Sequence, residues 1–270
     1  MEFNNIFVVY DPTREEQPAL TRAAMLGRDL GSNVHVFSCM HTDTAKPEDR
    51  QEDVKNILTA QQKQLNLIIA PLVDSGIAVT TEVVWDKDWY QAVVRASNRK
   101  GADLVLKSSY KHSTRQRILN KTSDWTLIRE CSCPVLLVKQ GELRDLRKVL
   151  AAVDVRTQLD SYTKLNQQII NLSTRINEKE GAEVHFINAH KDLSSVPDRN
   201  ALIRATGANS DRVHIRLGSP EDVIVENAKA LDVSLVVIGN SARSGLSATF
   251  NGNTAEKVLD RLECDLLSMP

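Results

Sequence analysis

The chain has 270 residues, of which 41% are apolar and 26% charged, and 34 Lys and Arg nearly balance 35 Asp and Glu for a formal charge of -1. That length suits two ordinary domains better than one, and the even charge excludes the electrostatic footprint of a nucleic-acid or anionic-membrane binder. No apolar run approaches the roughly 18 residues of a membrane span, and the amino terminus MEFNNIFVVYD lacks a signal-like basic and apolar region, so no membrane span and a cytoplasmic address are expected.

In chain order the first half reads as strand 6–10, helix 17–30, strand 34–38, helix 48–73, strand 77–85, helix 89–100, strand 103–107, helix 123–130 and strand 135–139. The strands are short runs of β-branched residues and Leu between polar flanks, such as Asp103-Leu104-Val105-Leu106, as in strands buried on both faces. Gly31, Gly76 and Gly101 each follow a helical pattern, where a left-handed residue ends the helix. Residues 140–147, QGELRDLR, read as a linker. The second half then runs strand 149–153, helix 158–179, strand 183–189, a short and weakly apolar segment 197–206, strand 212–217, helix 221–231, strand 235–238, helix 254–262 and strand 265–269. Strands alternating with helices predict βαβ units and a parallel sheet covered on both faces. The expected domains are 1–140 and 146–270.

The halves are copies of one plan. Ile6-Phe7-Val8-Val9-Tyr10-Asp11 and Val149-Leu150-Ala151-Ala152-Val153-Asp154 are both apolar runs that end in an acid. Further along, a shift of 132 positions lays Val93 on Val225, Ala96 on Ala228, Ser109 on Ser241, Thr122 on Thr254, Leu127 on Leu259 and Arg129 on Arg261. The first strands are instead offset by 143, so eleven residues are missing from the second half, most of them expected from its second helix.

Chemistry points to the segment after strand 235–238, Gly239 to Thr254, in which two glycines bracket small residues before a helix begins. A turn that leaves a parallel strand at its carboxyl end and enters a helix is where open α/β sheets bind ligands. Small residues there admit phosphate oxygens to backbone N–H groups, and the helix dipole favours the negative charge. A plainer reading is also open: Gly239 and Gly252 serve tight turns, and Asn253 or Thr254 caps the helix. Cys39, Cys131, Cys133 and Cys264 are expected reduced, with Cys131 and Cys133 as buried thiols rather than a metal site. The six histidines lie at no metal spacing. His41 and His190, each after a second strand, are candidates for the pocket edge. Trp85, Trp89 and Trp125 read as core or domain-interface packing.

This layout resembles the universal stress protein family, whose nucleotide-binding members carry GxxGx9G followed by Ser or Thr. Gly239 and Gly252 match the first and last glycines, Ala242 replaces the middle one, and Asn253 replaces the hydroxyl residue. Leu217-Gly218-Ser219-Pro220-Glu221 is similar to the family's GxPxE opening of its third helix. The tandem arrangement, with GNTAEKV in the second half and DLVLK and TSDW in the first, resembles the tandem E-like branch of that family. The resemblance implies two Rossmann-like, adenine nucleotide hydrolase-like domains, each an open parallel five-stranded sheet in the order 3-2-1-4-5. It implies an ATP site in the second domain formed by Asp154, near the adenine, with Gly239, Ala242, Gly252, Asn253 and Thr254. It also implies that the fifth strands pair or abut, so that one chain imitates a two-domain dimer, with a homodimer of chains beyond it. In the first half the same positions fall on Lys107, Tyr110 and Asn120. No phosphate pocket is expected there, and Lys107 is either solvated or able to neutralise an anion by itself.

Three functions compete. The first is a non-catalytic stress-response protein that binds a small ligand. The second is a scaffold or chaperone-like carrier of an apolar or amphipathic ligand. The third, a weak ATPase, ranks last, because the chain has no SGGxD, HxGH or GxxxxGK[ST] motif and no acid and base paired for catalysis.

Overall fold

A computed structural model describes residues 2–41, 50–110, 124–141, 143–155, 160–240 and 254–270. The chain divides into two units, Glu2–Gly141 and Glu142–Pro270. The first comprises β1 (Asn5–Tyr10), α1 (Pro18–Leu30), β2 (Asn33–Met40), α2 (Arg50–Asp74), β3 (Val79–Trp85), α3 (Trp89–Arg99), β4 (Leu104–Ser109), α4 (124–130) and β5 (Val135–Lys139). The second comprises β6 (Lys148–Ala152), α5 (Asp160–Glu180), β7 (Glu183–His190), α6 (Arg199–Thr206), β8 (Val213–Leu217), α7 (Pro220–Ala230), β9 (Leu235–Gly239), α8 (Thr254–Leu259) and β10 (Asp265–Met269). Among the described residues no helix is long and apolar enough to cross a membrane.

Within the first unit the strand order is β3-β2-β1-β4-β5, and within the second β8-β7-β6-β9-β10. Every pairing inside a unit is parallel, so the expected order 3-2-1-4-5 holds in each. The central strands are buried on both faces, as their unbroken apolar runs require: Ile6, Phe7 and Val8 are no more than 1% exposed, and Val149, Leu150 and Ala151 are fully buried. The order reverses between β1 and β4 and between β6 and β9. At each reversal the loops leave to opposite faces and open a crevice at the carboxyl ends of the strands. Helix ends follow local chemistry. Pro220 opens α7 behind Ser219, which accepts from the Asp222 N–H, and Gly31, Gly76 and Gly101 all take positive φ.

Strand pairing corrects the register read from the sequence. β1 pairs Ile6 with Leu104, and β6 pairs Val149 with Leu235. The counterparts are therefore Leu104 and Leu235, Lys107 and Ile238, Ser108 and Gly239, one position away from the shift of 132. Helices agree: α3 and α7 each have 11 residues, and after their last turns Gly101 (φ 61) corresponds to Asp232 (φ 52). A slip of one residue along a strand exchanges its faces. The residue at the first-glycine position of the first unit is thus Ser108, and Lys107 points to the other side of the sheet. The missing residues do fall on the second helix, 25 residues in α2 against 8 in α6. That contraction is larger than the net loss because α5, with 21 residues, outruns α1, with 13.

Candidate functional site

At the reversal point of the second unit, Asp154 lies two residues past the end of β6, and Gly239 ends the neighbouring β9. Asn166 of α5 clamps the Asp154 backbone from both sides: its Nδ2 donates to the Asp154 carbonyl (2.7 Å) and its Oδ1 accepts from the Asp154 N–H (3.1 Å). Asn188 of β7, 1% exposed, accepts from the Val155 N–H at 3.2 Å. These amides hold the backbone at the strand end. Gly239 has a reason that neither sequence reading contained. A Cβ there would lie 2.6 Å from Leu165 Cδ2, 2.8 Å from Leu165 Cγ and 3.2 Å from Ile169 Cδ1, so α5 seats directly on the end of β9 only because the residue has no side chain. Its φ is not positive, so packing rather than a turn requires the glycine. Thr254 opens α8 and is half-buried. Ala242, Gly252 and Asn253 lie outside the described residues. The structure therefore brings Asp154 and Gly239 to adjacent strand ends.

His190 ends β7, is 5% exposed and donates from Nδ1 to the Asp192 carbonyl at 2.9 Å. Its own carbonyl accepts from the Gly218 N–H (2.8 Å), which ties the start of α7 to this edge. α7 in turn holds α8 through Glu221–Lys257 (2.8 Å) and the turn after α8 through Asp222–Arg261 (2.6 Å). The Lys257 ammonium holds the Glu221 carboxyl below its usual range, and Ser219 and then Arg261 do the same for Asp222.

The first unit fills the same place with its own groups. Gln17 does what Asn166 does, donating to the Asp11 carbonyl (2.6 Å) and accepting from the Asp11 N–H (3.3 Å). The Asp11 carboxylate is engaged by the Thr13 N–H (2.9 Å) and hydroxyl (2.6 Å). Ser108, where the second unit has Gly239, accepts from the Ala19 N–H at 3.1 Å and so satisfies the first turn of α1. Tyr110, 9% exposed, donates to the Glu16 carbonyl (2.7 Å) under the Arg14 guanidinium, 4.8 Å from its ring centre. Burial raises its phenol pKa. Gln140 closes the rim on Glu16 at 2.8 Å. Lys107, expected either solvated or ready for an anion, is neither: its Nζ lies 2.7 Å from Asp124 Oδ1 and 5.5 Å from the Trp89 ring centre, with the ion-paired side chains 16% and 12% exposed. Asn120 lies outside the described residues.

Elsewhere, His41 lies tilted against Trp85 (ring centres 5.6 Å apart), Trp125 is in the core, and Trp85 and Trp89 are half-buried. Cys131 and Cys133 are buried, and burial pushes the Cys39 thiol up to about 11, far from a nucleophile's range. Sequence spacing missed a cluster at the amino end of the second sheet. His185 Nδ1 and His214 Nε2 lie 3.0 Å apart, and Glu183 Oε1 is 2.6 Å from His185 Nε2. The first unit has His35 at the corresponding place, 2.7 Å from Thr80 and 3.4 Å from Glu82, with its imidazole lowered to about 4 chiefly by burial. Only strand order reveals these contacts, because β7 and β8 are neighbours whereas His185 and His214 are far apart in the chain.

The model of the universal stress protein family matches residues 2–139 and 177–270. The stretch between the matches includes β6, Asp154 and most of α5. Universal stress protein E of Escherichia coli (strain K12) is 29% identical, with 98% of this chain and 93% of that protein covered. The universal stress protein E homolog of Haemophilus influenzae is 27% identical, with 100% and 98% covered. Among solved structures, a functionally unknown protein from Pseudomonas aeruginosa PAO1 superposes with a TM-score of 0.77 at 28% identity over 99% of this chain and 92% of its own. A universal stress protein from Archaeoglobus fulgidus shares the fold, with a TM-score of 0.76 at 18% identity over 99% and 96%. With the family's pattern matched across most of both units, the chain belongs to the universal stress protein family.

Proposed function

We propose that the chain is a non-catalytic stress-response protein that binds a small ligand, an adenine nucleotide such as ATP, at the carboxyl edge of the second unit. Asp154, Gly239, Ala242, Gly252, Asn253 and Thr254 are the contacting positions, and the first unit takes no nucleotide. The observation that carries this reading is the contrast between the crevices. Ser108 and Tyr110 occupy the first with hydrogen bonds to Ala19 and Glu16. In the second, β9 ends in Gly239 beside an Asp154 whose backbone is already held. The side chains described around the second crevice support the non-catalytic reading. Asn166 and Asn188 position backbone, and the Nδ1–H of His190 is engaged by Asp192, so this set supplies no activated nucleophile.

The test is thermal unfolding with ATP and magnesium. Ligand at about a hundred times its Kd adds about 2.7 kcal/mol of stability, so the melting temperature rises measurably. An unchanged melting temperature, with no nucleotide in the purified protein, sinks the reading, and conversion of ATP to ADP at a steady rate moves it to a weak ATPase. A carrier role is favoured by one observation: Leu193, Val196 and Leu217, at the carboxyl ends of β7 and β8, are 78%, 54% and 56% exposed. Native mass spectrometry separates the two, with an apolar adduct supporting the carrier and a nucleotide adduct the first reading.

A further inference from the structure

We propose that His185 and His214 form an acid-released latch that holds the β8–α6 edge of the second unit to its sheet. β8 is the outer strand of this unit and pairs there with β7, and the two-turn α6 packs on β8. His185 on β7 is 6% exposed, and its stacked partner His214 on β8 is half-buried. The proton positions follow from the acceptors. Glu183 accepts from His185 Nε2–H, which leaves His185 Nδ1 as a bare acceptor, so His214 Nε2–H donates across the strands. Both rings are then neutral and every contact is satisfied.

One added proton is tolerated. On His185 it gives an imidazolium between the Glu183 carboxylate and the lone pair of the other tautomer of His214, and the cross-strand hydrogen bond survives. A second proton cannot be placed without setting N–H against N–H at 3.0 Å, which removes the bond and adds repulsion between two cations. The surroundings sharpen this. The charged groups facing the pair are Glu183 on β7, Lys148 on β6, Asp211 and Arg212 in the turn before β8, Arg216 on β8 and Arg199 on α6. Cations outnumber anions there. Arg199 also donates to the Val213 and Ser210 carbonyls, so an opening of the edge carries α6 and β8, with His214, away from β7 and His185 together.

The titration runs in the same direction. Burial, and then the neighbouring His185, hold His214 down to about 4, whereas the open edge takes up its proton below about 6.5. The latch therefore contributes fully above about pH 6.5, loses stability as the pH falls toward 4, and changes no further below that. The Glu183 carboxyl, lowered mainly by its hydrogen bond to His185, adds a loss at lower pH still, as it becomes protonated. The loosened edge carries Gly218, whose N–H bonds to the His190 carbonyl beside the crevice.

Hydrogen exchange, corrected for the intrinsic effect of pH, tests the latch in the full chain. In the wild type the opening equilibrium of segment 199–217, referred to β1 as an internal standard, rises at least about tenfold between pH 7 and pH 4.5. In His214→Gln, whose amide still donates to His185 but takes no proton, the rise is under about threefold. An equal rise in both proteins, or none in the wild type, overturns the proposal. If the variant does not fold, nitrogen NMR of the wild-type imidazoles decides. Coupled titration in two steps with His214 last supports the latch, and two independent single steps at the ordinary imidazole value overturn it.

Discussion

At the end of its fourth strand the first unit places Ser108 and the second Gly239, and the neighbouring helices respond in opposite ways. Ser108 reaches the first turn of α1 and satisfies the Ala19 N–H, and Tyr110 and Gln140 then close over Glu16. Gly239 instead admits the side of α5, with Leu165 and Ile169 against the strand, and leaves the polar work of the crevice to Asn166 and Asn188 on the backbone of residues 154 and 155. On the opposite face the first unit carries the Lys107–Asp124 ion pair. The second has Ile238 and Ala255 in register with them, 4% and 0% exposed. A duplicated fold can thus satisfy the polar groups of one crevice internally while the strand order around both crevices stays the same.

The contrast can be broken by exchanging residues between the units. Lys107→Ile leaves Asp124 buried without its cation and should cost about 3–5 kcal/mol in urea unfolding. Adding Asp124→Ala, the second unit's own solution, should recover at least about half of that, because an apolar pair replaces an ionic one without a stranded charge. A smaller effect is expected from Gly239→Ser. The new Cβ displaces Leu165 at a cost of about 1–3 kcal/mol, and the double variant with Leu165→Ala should show a favourable coupling of about 1 kcal/mol in a mutant cycle. A Gly239→Ser protein as stable as the wild type would mean that α5 does not need the glycine. Smallest is Tyr110→Phe, which removes the bond to the Glu16 carbonyl for about 1 kcal/mol and leaves the ring in place.

Much of the fold was legible because buried parallel strands write themselves as unbroken apolar runs, and the repeated Asp11 and Asp154 marked where each unit begins. Register was not. Sparse identities such as Val93 with Val225 favoured the wrong shift, and only pairing to β1 and β6 shows that Ser108, not Lys107, answers Gly239. That slip also hid the ion pair, since Lys107 then pointed toward the crevice instead of toward Asp124 and Trp89. At the candidate site, Asp154 and Gly239 lie at neighbouring strand ends, as the strand order 3-2-1-4-5 requires. The packing reason for Gly239 was invisible, because a helix pressed against a strand leaves no local signature in either segment. His185 and His214 escaped for a related reason: the order of β7 and β8, not spacing along the chain, brings them together.

The central claim is that the two crevices differ in what they accept, and hydrogen exchange with and without saturating ATP and magnesium tests it most directly. The account predicts added protection in segments 151–155, 186–190 and 235–240 of the second unit, with 8–11, 36–41 and 106–110 of the first unchanged. Protection confined to the first unit, or equal in both, would contradict it.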